Sequence, residues 1–316
     1  MPNIYSLKNK TIWVAGHEGL VGSAVVRLLE AQGYEVLTVA RAGLDLRDQS
    51  AVQRWMGAHK PDVVVLAAAK VGGIGANMAV PAEFIYDNLM IEANVIHGAY
   101  VCEVEKLLFL GSSCIYPKDA QSPIKEDALM SGALEPSNAP YAVAKIAGIE
   151  MCKAYRAQYG CDFISAMPCN LYGPNDNFDL ESGHVIPALM AKAHGAKLAG
   201  DNVLSVWGSG RPRREFLYSN DLAAALLVLL EHYSGAAPVN VGTGEDISIA
   251  ALAKEIKHVT GFEGTLEFRA DKPDGVFEKR LDTGIIRSLG WAPQTSLQDG
   301  LALLYQWYQA RHIKIS

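Results

Sequence analysis

Tyr141 and Lys145 stand four residues apart in the Ala-rich run Pro140-Tyr141-Ala142-Val143-Ala144-Lys145. On a helix that spacing puts both side chains on one face. A tyrosine hydroxyl beside a lysine ammonium has its phenolate stabilised, and a pKa lowered in this way suits it to exchange protons near neutrality. Upstream, Gly111-Ser112-Ser113-Cys114 follows the apolar run Lys106–Leu110. A serine hydroxyl at that place can hydrogen-bond a substrate carbonyl. These are the parts of a carbonyl reductase. A Tyr-x-x-x-Lys pair arises often by chance, so the reading depends on the elements that hold it.

Lys106–Leu110 is bounded by glycine and reads as a buried parallel strand, with Ser112, Ser113 and Cys114 at its C-terminal end, where open α/β sheets bind ligands. Thr11–Ala15 reads as the first strand, followed by a turn with Gly16, Gly19 and Gly22 and by a helix over Ser23–Gln32. Such a turn brings backbone, together with Leu20 and Val21, close to a dinucleotide pyrophosphate at a helix N-terminus. A second strand, Tyr34–Ala40, ends at Arg41. An arginine there accommodates a 2′-phosphate and points to NADP, whereas Glu18 beside the turn keeps NAD open. Asp45 and Leu46 either flank the adenine or, for Asp45, cap a helix before Gln49. Further strands at Val63–Ala69 and Asp162–Met167, with a helix over Pro81–Cys102, complete an α/β doubly wound parallel sheet of Rossmann type.

The composition changes at Pro168-Cys169-Asn170-Leu171-Tyr172-Gly173-Pro174. A helix from His184 to His194 carries Lys192, and Leu204–Gly210 leads through Trp207 to Arg211, Arg213 and Arg214. A tryptophan and arginines together can stack on a base and hold a diphosphate. Val239–Val241 reads as one more strand of the first sheet. The helix Ile249–Thr260, the strand Gly264–Phe268, the loop Lys272-Pro273-Asp274-Gly275 and an amphipathic helix over Leu297–Ala310 belong to a smaller lobe. The expected division is therefore 1–171 plus about 214–245 for the dinucleotide, and about 172–213 plus 246–316 for the substrate.

The whole sequence of 316 residues carries 28 basic and 34 acidic side chains, net −6, without a block of like charge. That argues against a nucleic-acid surface. The longest apolar run, Leu222–Leu230, is too short to span a bilayer, and the N-terminus lacks a signal layout. Five cysteines without a CxxC pair suggest a reducing, cytoplasmic setting and no metal site.

The segments Leu66–Ile74, Leu110–Pro117, Pro140–Gly148, Asn170–Pro174, His184–Leu189 and Lys272–Gly275 together resemble the extended short-chain dehydrogenase/reductase family, in its nucleotide-sugar branch. The resemblance covers nearly the whole chain. It implies an NADPH-dependent enzyme that converts GDP-4-keto-6-deoxy-D-mannose to GDP-L-fucose, by C3/C5 epimerisation and then C4 reduction. By the same resemblance Cys114 and His184 are the acid–base pair of epimerisation. Tyr141 is the proton donor to C4, Ser112 holds the C4 oxygen and Lys145 the nicotinamide ribose. Leu110, Ser113, Pro168, Asn170, Leu171 and His184 touch the cofactor, while Lys192, Trp207, Arg214 and Asp274 contact the GDP-sugar. A homodimer is also implied. The competing readings are a reductase or epimerase for another GDP-deoxy sugar, and a dinucleotide-binding regulator without turnover.

Overall fold

The computed structural model describes residues 4–271 and 276–312. Five apolar stretches form the strands β1 (Thr11–Ala15), β2 (Glu35–Leu37), β3 (Val63–Leu66), β4 (Lys106–Leu110) and β5 (Asp162–Pro168). They lie parallel in the order β2-β1-β3-β4-β5, and Val239–Val241 adds a sixth parallel strand beside β5. Because the chain passes from β1 outward to β2 and then back to β3, the strand order reverses beside β1. An open α/β sheet has its binding crevice at such a reversal.

Every residue of β3 and β4 is buried, as a sheet covered on both faces requires. The helices of this half are α1 (Leu20–Ala31), α2 (Gln49–His59), α3 (Ile74–Ala79), α4 (Pro81–Val101) and α5 (Ala139–Tyr159); α4 packs between α2 and α5 on one face of the sheet, and α1 lies on the other. Lys106 is the one charged residue within β4. Its ammonium is 2.6 Å from Asp162 and donates to the Tyr233 carbonyl at 2.7 Å.

Beyond β5 the chain forms β6 (Asn170–Tyr172), α6 (Val185–Ala199), β7 (Val203–Trp207), β8 (Arg213–Arg214), β9 (Phe216–Tyr218) and α7 (Ser219–His232), and α7 returns to pack on α1. Val239–Val241 is β10. The remaining elements are β11 (Ile247–Ser248), α8 (Ile249–Thr260), β12 (Thr265–Arg269), β13 (Glu278–Lys279), α9 (Gly284–Ser288) and α10 (Leu297–His312). A second hydrophobic core joins α6, β7, α8 and α10 through Met190, Val206, Leu252, Ile256, Leu301 and Leu304. No helix of the described residues is long and apolar enough to cross a membrane.

Several expected boundaries move. α1 starts at Leu20, not Ser23, because Gly19 is the extended residue that caps it and its carbonyl accepts from Ser23 N at 2.9 Å. β2 keeps only three of seven expected residues, since its single neighbour is β1 and the chain turns at Ala40, whose carbonyl accepts from Gly43 and Leu44 N. The cap of α2 is Asp48, which accepts from Ala51 N at 2.9 Å; Asp45 instead pairs with Arg47 at 2.7 Å. α6 runs through Gly195 to Ala199 and stops where Gly200 takes a left-handed φ of 73°. The short helix α3 was not expected from the sequence.

Candidate active site

The glycine turn is fixed by close backbone packing. Gly16 has φ +91°, and a Cβ on it would lie 2.6 Å from Ala68 N, where β3 ends beside β1. A Cβ on Gly22 would lie 2.1 Å from the Gly16 carbonyl oxygen. Gly19 is open by comparison. The turn therefore lies flat against the end of β3 and aims the N-terminus of α1 into a cavity of about 880 Å³. Gly16, Gly19, Leu20, Val21, Arg41, Asp45 and Leu46 line that end of the cavity, as does Glu18. Gly22 lies beneath the turn and supports it without lining the cavity.

The middle of the cavity is built by the ends of β4 and β5. Ser112 is extended (φ −162°) and its Oγ accepts from Cys114 N at 3.2 Å, so a single turn of 3₁₀ helix carries Ser113, Cys114 and Ile115. Leu110, Ser112, Ser113 and Cys114 face the cavity together with Pro168, Asn170 and Leu171. Tyr141 and Lys145 reach it from the first turns of α5.

Tyr141 and Lys145 share a face as expected, but their electrostatics differ from the sequence reading. The Lys145 ammonium is 3.0 Å from Glu92 Oε1 on α4, with both side chains buried. It also lies 4.7 Å from the centroid of the Phe109 ring and 6.0 Å from that of Tyr141. Burial pushes the Tyr141 hydroxyl well above its ordinary value; the Cys114 and Glu92 charges add to the rise, and a hydrogen bond with Ser112 opposes it. The expected depression of the Tyr141 pKa is thus reversed, because burial of the hydroxyl is the larger effect. Burial also raises Glu92, against the pull of Lys145.

His184 is the extended residue at the N-terminus of α6 and lines the cavity. It is held there by a loop knotted on Asp179, whose Oδ1 accepts from Glu181 N, Ser182 N and Ser182 Oγ at 3.1, 2.8 and 2.7 Å. The Ser182 carbonyl in turn accepts from Gly73 N at 2.9 Å, at the start of α3. Asp176, almost fully buried, approaches His184 Nδ1 to 3.8 Å.

Lys192 from α6, Trp207 from the end of β7 and Arg214 from β8 form the far end. The Lys192 ammonium stands 5.6 Å over the Trp207 ring, and burial lowers its pKa. Arg213, grouped with Arg214 from the sequence, turns away and its guanidinium donates to Asp246 Oδ1 at 2.7 Å. Asp274 lies outside the described residues.

The sequence reading missed Glu92, Asp176 and the loop knot. Glu92 had a signal: with Asp87, Asn88 and Asn94 it interrupts an otherwise apolar helix, and all four are buried. Asn88 shows what such residues do. Its amide accepts from Lys70 N at 2.8 Å and donates to the Lys70 carbonyl at 3.0 Å, pinning the loop after β3.

A parallel sheet with its cavity at the reversal of strand order, a glycine turn at the first strand end, and a Ser, Tyr and Lys on one wall define a nicotinamide-dinucleotide enzyme of Rossmann type. Residues 12–242 match the NAD dependent epimerase/dehydratase family, and the chain belongs to it. It is 55% identical over 303 residues to the GDP-L-fucose synthase of Sinorhizobium fredii, covering 96% of each chain. The GDP-L-fucose synthase of Escherichia coli is 48% identical over 312 residues, with 96% of this chain and 97% of that one covered. Among solved structures, the GDP-L-fucose synthetase of Naegleria fowleri bound to NADP superposes with TM-score 0.90 at 30% identity, over 99% of this chain and 98% of that one.

Proposed function

We propose that the chain converts GDP-4-keto-6-deoxy-D-mannose to GDP-L-fucose with NADPH, epimerising C3 and C5 before reducing C4. The observation that carries this reading is that Cys114, beyond the end of β4, and His184, at the start of α6, both line the cavity that also receives Ser112, Tyr141 and Lys145. Simple reduction of a carbonyl needs only the last three.

The backbone cradle fits a dinucleotide: the space that side chains would fill at Gly16 and Gly22 is taken by backbone, leaving the α1 N-terminus open to a pyrophosphate. Arg41, at the adenosine end, supports a 2′-phosphate and hence NADP. When bound, the reduced nicotinamide supplies hydride to C4.

The C4 carbonyl acidifies the C–H bonds on either side of it by delocalising charge into an enolate. One of Cys114 and His184 removes a proton from C3 or C5, and the other returns one to the opposite face. Ser112 holds the C4 oxygen throughout. Tyr141, kept protonated by its apolar wall, donates its proton to that oxygen as hydride arrives. Lys145 positions the nicotinamide ribose. Lys192, Trp207, Arg214 and Asp274 hold the GDP-sugar, the cations on the diphosphate and the indole on the base.

Five unpaired cysteines suit a cytoplasmic enzyme. The exposed outer faces of α4 and α5, with Tyr100 stacked on Tyr159 at 4.2 Å between ring centroids, suit a homodimer.

The test is the reaction in D₂O with GDP-4-keto-6-deoxy-D-mannose and either NADPH or NADH, followed by NMR. GDP-L-fucose carrying deuterium at C3 and C5, formed faster with NADPH, is the expected product. Reduction without deuterium at either carbon would move the chain to another GDP-deoxy sugar and remove the epimerase role from Cys114 and His184.

A further inference from the structure

Glu92 takes no part in the chemistry above, yet it is the only carboxylate against Lys145 among the described residues. It projects from α4 into the contact between α4 and α5, its side chain 1% exposed, and neither of its oxygens meets another hydrogen-bond donor. Space for it comes from Gly148, one turn beyond Lys145 on α5: a Cβ there would lie 2.9 Å from Glu92 Oε2 and 2.4 Å from the Phe109 ring. Phe109 closes the other side of the ammonium. The groups whose charge reaches this space are Tyr141 and Cys152 on α5, besides Lys145. A carboxylate costs much free energy in so dry a place unless it is paired, and the same holds for an ammonium. The pairing at 3.0 Å offsets part of that cost for both groups.

We propose that Glu92 is the positioning residue for Lys145: its carboxylate anchors the lysine side chain at the cavity wall, so that the terminal nitrogen is presented to the nicotinamide ribose. This rests on the reading that Lys145 serves the cofactor. Without the carboxylate, Lys145 loses its buried counter-charge and with it the contact that fixes the side chain, so Glu92→Gln weakens cofactor binding more than it slows turnover of the bound cofactor.

The experiment compares wild type, Glu92→Gln and Glu92→Asp in NADPH-dependent turnover, with NADPH binding followed by fluorescence. Glu92→Gln is expected to weaken NADPH binding and raise its KM about tenfold while keeping kcat within about threefold of wild type. Glu92→Asp, which keeps the charge, recovers most of that affinity. Unchanged NADPH affinity in Glu92→Gln, a loss confined to kcat, or an affinity that Glu92→Asp does not recover would overturn the proposal. If Glu92→Gln does not fold, the double variant Glu92→Gln/Lys145→Met decides the matter. Recovery of cooperative melting shows that the stranded lysine charge was the fault, and continued failure gives Glu92 a packing role only. Melting is read without substrate, so it tests the pair separately. A wild-type chain inactive with NADPH and the GDP-keto sugar would sink the functional reading and leave the pair standing.

Discussion

The two ends of the cavity are made of different material. At the dinucleotide end the wall is backbone: Gly16 against Ala68, and Gly22 against Gly16, at separations where no Cβ fits. At the end proposed to take the GDP-sugar it is long side chains, Lys192, Trp207 and Arg214, each from a different element. A backbone wall has one shape and fails abruptly. A side-chain wall fails by degrees, because neighbouring residues and water take up part of what one truncation removes.

Gly22→Ala should give the largest effect. The methyl group has nowhere to go, and overpacking of this kind costs about 1–3 kcal/mol or more while displacing the turn. A lower melting temperature together with loss of NADPH binding is expected, whereas Gly19→Ala, whose Cβ would lie 3.6 Å from the Gly16 oxygen, stays folded. Equal tolerance at both glycines would dissolve the contrast between the walls. Tyr141→Phe, at the boundary of the two ends, should lower kcat by about 10²–10⁴ and leave NADPH binding nearly unchanged. Stopped-flow NADPH oxidation measures the first and fluorescence titration the second.

Arg214→Ala should raise KM for the GDP-sugar by about ten- to a hundredfold with kcat within a few fold of wild type, the mark of a group that binds ground state and transition state alike. An equal loss in kcat would place Arg214 in the chemistry rather than at the far wall. The smallest effect belongs to Asp45 on the rim. Its hydrogen bonds from Arg47 hold its pKa down to about 2. A depressed carboxylate stabilises the fold above its unfolded pKa, about 3.9, and the contribution fades as pH falls through about 2. Asp45→Asn should thus lower the melting temperature by about 2 °C or less at pH 6, because the carboxylate is largely solvated, and by nothing measurable near pH 2. A gap that widened on acidification would have the opposite sign to the one expected.

The same contrast governs what could be read from the sequence. The backbone wall is a contiguous pattern, strand then glycines then helix, so Gly16 to Gly22, Ser112 and the Tyr141–Lys145 spacing stand out in the chain. The doubly wound sheet followed from alternating apolar runs. Arg213 and Arg214 are adjacent in sequence, and only the pairing of β8 with β11 and β13 sends one to Asp246 and the other to the cavity. Glu92 and Lys145 are brought together by helix packing across 53 positions, a distance no local periodicity records. The sense of the Tyr141 shift was misread because its largest cause is burial of the hydroxyl, which elements distant in the chain bring about.

His184 belongs by sequence to the GDP-sugar half, yet the loop that carries it is stitched through Ser182 to Gly73, and a Cβ on Gly73 would meet the Gly183 oxygen at 2.7 Å. The histidine is consequently surveyed from the cofactor half, and the two halves are not interchangeable parts. A chimera that exchanges residues 177–184 with a relative's must import residues 72–77 as well; with one loop alone it should still bind NADPH but lose deuterium exchange into the sugar. What must stay matched here is a seam between two segments far apart in the chain.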